Sequence, residues 1–409
     1  MSEYSTNTSE SEYDESISND DIIEHSENLN LEGCILRKYN ILCELGRGSF
    51  SIVWLAYCIE NSKYYAMKVQ HPNEYKQGLD ENEFVKKLPN LNFFNKLIED
   101  FVEIIDNKKF LCTVYNLYAC NLDSILRKGN YNDGVPFNIA INILNQLLKS
   151  CEYLHDKMKV YHGDIKTDNI LLRGKNKRND LIIKFYNEMN FNDIYNKAKK
   201  EVSKKKLNSE KKNKIRSRIH YEIYNKIKNL LDNNNINHYD IDDKYIDKCE
   251  ISLADFGNCI EEGEYYEESF GTRYYRSPEN ILVGKSSYPN DIWAVGCTFY
   301  ELLTGRILFD PEKDKNYDRD AYHLKLINEA CGNFPVSFLK KTELGKKYFT
   351  KGKIIMDKDL SYKNKIETKI SNVLKDEKHV KLSLKLLNGM LKINPLERLS
   401  AKELLDILQ

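Results

Sequence analysis

The sequence lacks the features of a membrane or secreted protein. It has no run of 18 or more apolar residues, so no segment reads as a membrane-spanning helix. The first 16 residues contain neither the basic nor the apolar segment of a secretory signal. No two of the ten cysteines have the CxxC spacing of a zinc or redox site. We therefore expect an intracellular protein with reduced thiols, cytoplasmic or nuclear, and no membrane partner.

An excess of charge of either sign is also absent. The 62 Lys and Arg residues balance 62 Asp and Glu residues, so the surface as a whole is not suited to coat nucleic acid. Hydrophobic residues make up 41% of the chain, which is enough for a substantial core. The abundance of Asn, Lys, Ile and Tyr is typical of AT-rich codons and points to a protist or a large DNA virus, in which case the protein would act in a host cell.

Two segments depart from globular composition. Residues 1–32 contain ten acidic side chains and no Lys or Arg, which predicts a disordered acidic tail. Residues 173–248 are rich in Lys and Asn and are predicted to be an insertion, partly helical and partly polar linker. It interrupts what otherwise reads as one domain over 33–409. We expect that residues 175–247 can be removed with the fold and activity retained, because loop-closure entropy changes slowly with length.

The insertion leaves alternatives open. A solvated, Lys-rich segment is favoured over a nucleic-acid contact at 204–206 and 211–212, so no nucleic-acid partner is expected. Part of the insertion could instead pack on the helical part of the protein through an apolar stripe. The stripe consists of Tyr221, Ile223, Tyr224, Ile227 and Leu230.

A glycine-rich segment lies between two of the predicted strands. Strands are predicted at 39–43, 51–56, 64–69 and 110–115, and a helix near 79–88. Between the first two strands, glycines would let backbone N–H groups approach phosphates. Such turns are common in plain hairpins, but Lys68 on the next strand adds a cation that can reach the phosphates of a nucleotide.

The segment His162–Leu172 carries the strongest signal. Asp164, Lys166 and Asn169 can share one loop, in which they would orient a hydroxyl, neutralise a phosphate and hold a metal, respectively. A polar loop before a strand would not predict a second metal-binding acid, yet Asp255-Phe256-Gly257 follows a later apolar run. The order of these motifs favours phosphoryl transfer.

These motifs resemble those of the eukaryotic protein kinase family over nearly the whole chain outside the tail and insertion. Ser277-Pro278-Glu279, 291–296 and 394–398 are similar to its later motifs, and the resemblance implies a buried ion pair between Glu279 and Arg398. It implies an α+β, bilobal fold with a small antiparallel-sheet N-lobe plus one helix, and a larger, mainly helical C-lobe. It also implies transfer of the γ-phosphoryl group of ATP to Ser or Thr of proteins, with Mg²⁺, or alternatively Mn²⁺, as cofactor. A kinase-like scaffold that acts by binding, without catalysis, is the alternative.

The resemblance implies a set of site residues. The catalytic residues are Asp164, Lys166 and Thr272, and the metal ligands are Asn169 and Asp255. The ATP-binding residues are Leu45, Gly46, Arg47, Gly48, Ser49, Phe50, Ser51, Ile52, Val53, Ala66, Lys68, Glu81, Asn116 and Tyr118. Glu81 is preferred to Glu83 as the partner of Lys68. Tyr115 is the expected gatekeeper, and Asn116 and Tyr118 would offer backbone bonds to adenine.

Within this family, the segment 272–279 is similar to the group of MAP kinases, cyclin-dependent kinases and SR-protein kinases. The chain resembles the SR-protein kinases most. The resemblance lies in the segment 254–259, in Ser51 and in the position of the insertion. This resemblance makes Arg/Ser-rich proteins candidate substrates, and we expect a monomer. Gly163 stands where the family has an Arg that receives an activation-loop phosphate, so we expect activity without that phosphate. Arg273 and Arg276 should then bind neighbouring groups, and Thr272 should lie near Asp164 and Lys166.

Overall fold

A computed structural model gives the structure of the chain. It describes residues 29–48, 50–105, 108–174, 176–190, 248–264, 269–283, 287–312, 318–351, 353–355 and 366–409, with short stretches between 193 and 246. The predicted tail over 1–28, Ser49, and Tyr221, Ile223 and Tyr224 of the predicted stripe lie outside the described residues. None of the described helices is long and apolar enough to cross a membrane.

The N-lobe is an antiparallel sheet of six strands with one helix. The strands are β1 (Ile35–Leu36), β2 (Tyr39–Arg47), β3 (Ser51–Cys58), β4 (Lys63–Gln70), β5 (Leu97–Ile105) and β6 (Lys108–Asn116), in the order β1-β2-β3-β4-β6-β5. Alternate residues such as Trp54, Met67 and Val114 form a core on one face. Helix α1 (Tyr75–Lys87) contacts the other face. The four predicted strands and the predicted helix are all present.

The C-lobe is mainly helical. Its helices, with the insertion helix α4 included, are α2 (Leu122–Arg127), α3 (Phe137–Tyr153), α4 (Lys177–Glu188), α5 (Pro278–Ile281), α6 (Tyr288–Thr304), α7 (Arg319–Cys331), α8 (Val336–Leu339), α9 (Gly345–Tyr348), α10 (Ile366–Val373), α11 (Glu377–Met390) and α12 (Ala401–Leu408). Its strands are β7 (Tyr118–Asn121), β8 (Val160–Tyr161), β9 (Ile170–Arg173), β10 (Ile251–Leu253), β11 (Ile260–Glu261), β12 (Phe349–Thr350) and β13 (Lys353–Ile354). Helix α6 is buried from Asn290 to Thr304 and forms the centre of this lobe. The expected bilobal α+β arrangement is confirmed.

A short sheet positions the two loops that carry the predicted metal ligands. Strand β9 pairs antiparallel with β10, so that Ile170 lies opposite Leu253. Asn169 precedes β9 and Asp255 follows β10, so both residues emerge at the same end of this pair. The antiparallel register therefore brings together two residues that are 86 positions apart in the sequence.

The beginning of the insertion packs on the N-lobe. Ile182 and Tyr186 of α4 are buried against Leu55 and Tyr57 of β3, and Ile227 belongs to the same cluster. The side-chain amide of buried Asn40 also donates to the hydroxyl of Tyr186. The stripe was expected to pack on the helical part of the protein, but Ile227, its buried described residue, instead packs with α4 on the N-lobe sheet. Local patterning could not reveal this long-range contact. Removal of all of 175–247 would delete these contacts, so we now expect it to destabilise the N-lobe.

Tyr186→Ala should lower the free energy of unfolding by about 3–5 kcal/mol, because it empties a site that a large buried ring fills. Tyr186→Phe should cost about 1–3 kcal/mol, since it leaves the amide of Asn40 without its partner. Denaturant unfolding of the purified protein measures both changes. Lys184→Ala, on the exposed side of the same helix, is the matched control and should have little effect. Equal stability of Tyr186→Ala and the control would show that α4 does not support the N-lobe.

Candidate active site

Lys68 lies in a partly buried cluster of charges between the N-lobe sheet and α1. Its Nζ is 2.8 Å from Oε2 of Glu81 and 3.4 Å from Oδ1 of Asp255. Burial lowers the pKa of Lys68, but the two carboxylates outweigh it and leave the pKa raised above its usual value. The ammonium group is therefore fixed and charged. Glu83, the other candidate partner, lies on the surface and contacts Lys86 instead.

The glycine-rich segment forms the hairpin between β2 and β3. The N–H of Gly48 donates to the carbonyl of Ser51 (2.9 Å), which closes the turn, and Arg47 pairs with Glu44. A Cβ on Gly46 would meet no atom within 4 Å, so open space adjoins the backbone there. The side chain of Phe50 at the tip is 49% exposed. Such a hairpin can lie over a bound phosphate chain.

The predicted catalytic residues form a closed network. Oδ2 of Asp164 is 2.8 Å from Nζ of Lys166, which donates to Oγ1 of Thr272 (2.6 Å). The backbone N–H of Thr272 donates to Oδ1 of Asp164 (2.8 Å). Burial raises the pKa of Asp164, but Lys166 and Thr272 outweigh it, so the pKa stays below its ordinary value. The carboxylate is therefore ionised throughout the neutral pH range.

Two glycines allow the activation segment to approach this closely. Gly163 has φ of +79°, and a Cβ there would lie 2.6 Å from the carbonyl oxygen of Asn258. Gly271 has φ of +69°, and its Cβ would lie 2.5 Å from the carbonyl oxygen of Gly163. An L side chain fits neither position. Glycine at 163, where the family has Arg, thus fits the close approach of the backbone at Asn258.

The predicted metal ligands lie beside this network. The amide nitrogen of Asn169 donates to the backbone carbonyl of Asp164 (2.9 Å), which leaves its amide oxygen as an acceptor. Asp255 adopts φ of +66° and its side chain is 44% exposed, so the carboxylate has an accessible oxygen. One amide and one carboxylate oxygen form a hard donor set suited to a divalent cation such as Mg²⁺.

Asp291 anchors the catalytic loop, a role that the sequence motif alone did not indicate. Its fully buried carboxylate accepts hydrogen bonds from the backbone N–H groups of His162 (2.7 Å) and Gly163 (3.0 Å). It also lies 2.9 Å from Nε2 of His155. Burial raises its pKa, but these partners outweigh that effect and keep the carboxyl ionised. The sequence marked Asp291 as the first residue of a family motif and as an acid within an apolar helix, but it did not indicate which groups the carboxylate binds.

The activation segment is held by internal partners. Arg276 donates to the carbonyl of Gly271 and to the hydroxyl of Ser269, both at 3.0 Å, and Arg273 pairs with Asp320. At the end of the segment, Glu279 forms a bidentate pair with Arg398 (2.5 and 2.6 Å). This pair is buried, as the sequence analysis expected.

The remaining predicted residues line the connection between the lobes. Tyr115 lies opposite Ala66 in the β4–β6 ladder and is buried. Asn116 ends β6 and Tyr118 begins β7, so residues 116–118 join the two lobes. Ala66 and Tyr115 therefore lie at the end of the N-lobe sheet from which the chain passes into the C-lobe.

Comparison with known families agrees with this geometry. Residues 39–186 and 177–407 match the protein kinase domain. The chain belongs to the protein kinase family. This kinase therefore uses ATP and a divalent metal ion, and its substrates are proteins.

Individual relatives place the kinase more closely. It is 28% identical to a protein of Acanthamoeba polyphaga mimivirus named as a serine/threonine-protein kinase, over 97% of this chain and 93% of the relative. It is 29% identical to the serine/threonine-protein kinase SRPK of Physarum polycephalum, over 90% of this chain and 84% of the relative. The expected resemblance to the SR-protein kinase branch is thereby confirmed.

One solved structure supports the fold. The crystal structure of a kinase domain superposes with a TM-score of 0.63 at 22% identity, over 92% of this chain and 97% of that one. The bilobal kinase fold is therefore confirmed.

Thr272→Val should lower kcat about tenfold, because Lys166 would lose the hydroxyl that accepts its hydrogen bond. Thr272→Ser retains that hydroxyl and serves as the control, with kcat near that of the wild type. Steady-state kinetics with a phosphoacceptor protein measures both. If the Val variant stays within twofold of the wild type, the Lys166–Thr272 bond does not contribute to the reaction.

Proposed function

We propose that the kinase phosphorylates Ser and Thr residues, with Asp164, Lys166 and Thr272 as its catalytic residues. The observation that carries the proposal is the closed network of these three residues next to the Lys68–Glu81–Asp255 cluster. The relatives named as serine/threonine-protein kinases support the acceptor class. The catalytic unit spans 33–409, is interrupted by the insertion at 173–248, and acts as a monomer.

The acceptor hydroxyl binds at Asp164. The ionised carboxylate orients the substrate hydroxyl and accepts its proton as the oxygen attacks the γ-phosphorus. The bond between the γ-phosphorus and the β–γ bridging oxygen breaks, and ADP is the leaving group. Lys166, held by Asp164 and Thr272, stabilises the negative charge of the group in transfer.

The nucleotide binds under the β2–β3 hairpin. Lys68, oriented by Glu81, contacts the α- and β-phosphates, and the backbone of residues 45–53 covers them. Adenine bonds to the backbone of Asn116 and Tyr118. Asn169 and Asp255 hold Mg²⁺, or Mn²⁺ with the same oxygen preference. When bound, the cation neutralises charge on the phosphates.

Basic residues next to the acceptor fit the same site, and Arg/Ser-rich proteins are therefore the proposed substrates. Asp168 in the catalytic loop has a pKa raised by its partly desolvated position and by nearby Asp123. A substrate guanidinium there would be attracted by both carboxylates and would offset their mutual repulsion. The relative named SRPK is consistent with this preference.

Asp164→Asn should reduce kcat by several orders of magnitude while ATP still binds, because the carboxylate acts on the hydroxyl and not on the nucleotide. Calorimetric titration with ATP and transfer of labelled phosphate to a positional peptide library measure the two properties. Preferred transfer to Ser or Thr peptides with flanking Arg is expected.

Three outcomes would contradict the proposal in different ways. A kcat of Asp164→Asn within tenfold of the wild type would show that Asp164 is not the group that accepts the proton of the hydroxyl. Transfer to Tyr peptides alone would correct the acceptor class. Wild-type protein that binds ATP but transfers nothing would favour the scaffold alternative.

A further inference from the structure

A polar row crosses the N-lobe sheet beneath α1. Lys68 of β4 lies directly opposite Thr113 of β6, and Thr113 lies directly opposite Asp100 of β5. Residues that pair directly in antiparallel ladders project from the same face. The contact of Lys68 with Glu81 shows that this face is the one that meets α1.

Helix α1 contacts every residue of this row. Glu81 binds Lys68, and the adjacent Asn82 places its amide nitrogen 2.9 Å from Oγ1 of Thr113 and 3.3 Å from Oδ2 of Asp100. The hydroxyl of Thr113 also lies 3.2 Å from the amide oxygen of Asn82, so both the nitrogen and the oxygen of this amide have a partner. Farther along the helix, Lys86 lies 3.1 Å from Asp100.

These contacts differ in how strongly they can hold the helix. Asn82 and Thr113 are 2% and 3% exposed, so a shift of the helix too small to admit water would leave both side chains without partners. An unpartnered polar group in such a place is costly. The side chain of Lys86 is 41% exposed, and a surface ion pair of this kind contributes little. Of these two contacts of the helix beyond Glu81, the Asn82–Thr113 contact therefore penalises displacement of α1 more.

We propose that Asn82 and Thr113 are positioning residues that hold α1 where Glu81 reaches Lys68. Neither touches nucleotide or substrate, and both act through the Lys68–Glu81 pair. A shift of α1 that separates this pair also unpairs Asn82 and Thr113, so the two contacts are made or lost together. The helix thus stays in its working position without a bound partner or a phosphate. The inference rests on the proposed role of Lys68 and Glu81.

A double-mutant cycle separates positioning from general packing. Asn82→Leu keeps the size of the side chain and removes its hydrogen bonds, and it is measured with Glu81 intact and in Glu81→Gln. We expect kcat/KM for ATP to fall about tenfold with Glu81 intact and less than twofold in Glu81→Gln, where the pair is already weakened. A structural role would lower kcat/KM equally in both backgrounds.

Thr113→Val provides a second, isosteric test that does not depend on the folding of Asn82→Leu. Thr113→Val should also lower kcat/KM for ATP more with Glu81 intact than in Glu81→Gln. Thr298→Val is the matched control, because the buried hydroxyl of Thr298 on α6 has no hydrogen-bond partner among the described residues. The control should leave kcat/KM unchanged in both backgrounds.

The outcomes distinguish this inference from the proposed function. Equal losses in the two backgrounds, or no loss with Glu81 intact, would overturn the positioning role alone. A Glu81→Gln variant as active as the wild type would overturn the role of the Lys68–Glu81 pair, and the positioning role with it.

Discussion

The buried carboxylate of Asp291 fixes the catalytic loop from the centre of the C-lobe. It satisfies the backbone N–H groups of His162 and Gly163, which would otherwise be buried without partners. Because these two residues directly precede Asp164, the position of the catalytic carboxylate is set by the core helix α6. The contacts of Lys166 and Thr272 with Asp164 depend on this anchor.

The site residues on both sides are held by contacts within the chain. The left-handed backbone at Gly163 and Gly271 brings the activation segment onto the catalytic loop. Arg276 and Arg273, the cations that could receive a phosphate, already bind partners of their own. On the other side of the cleft, the buried contacts of α1 hold Glu81 against Lys68. These contacts support the proposal that the site is assembled without a modification.

Much of this arrangement could be predicted from the sequence because its signals are local. The order of the glycine-rich segment, Lys68, the catalytic loop and Asp255 indicated the chemistry, and alternating apolar residues indicated the strands. Two features could not be predicted. Asn82 and Thr113 have no sequence signal for a contact, which appears only when α1 packs on the sheet and places Asn82 against Thr113 of β6. The packing of α4 on the N-lobe joins distant segments through side chains that an ordinary amphipathic helix would also have.

The most direct test of a preassembled site is the activity of the unphosphorylated enzyme. The protein would be made in bacteria, treated with phosphatase and checked by mass spectrometry for unmodified Ser269, Thr272, Tyr274 and Tyr275. The account predicts a kcat within about tenfold of that of the untreated enzyme. A fall of more than about a hundredfold, equivalent to about 2.7 kcal/mol of transition-state stabilisation, would show that a phosphate assembles the site.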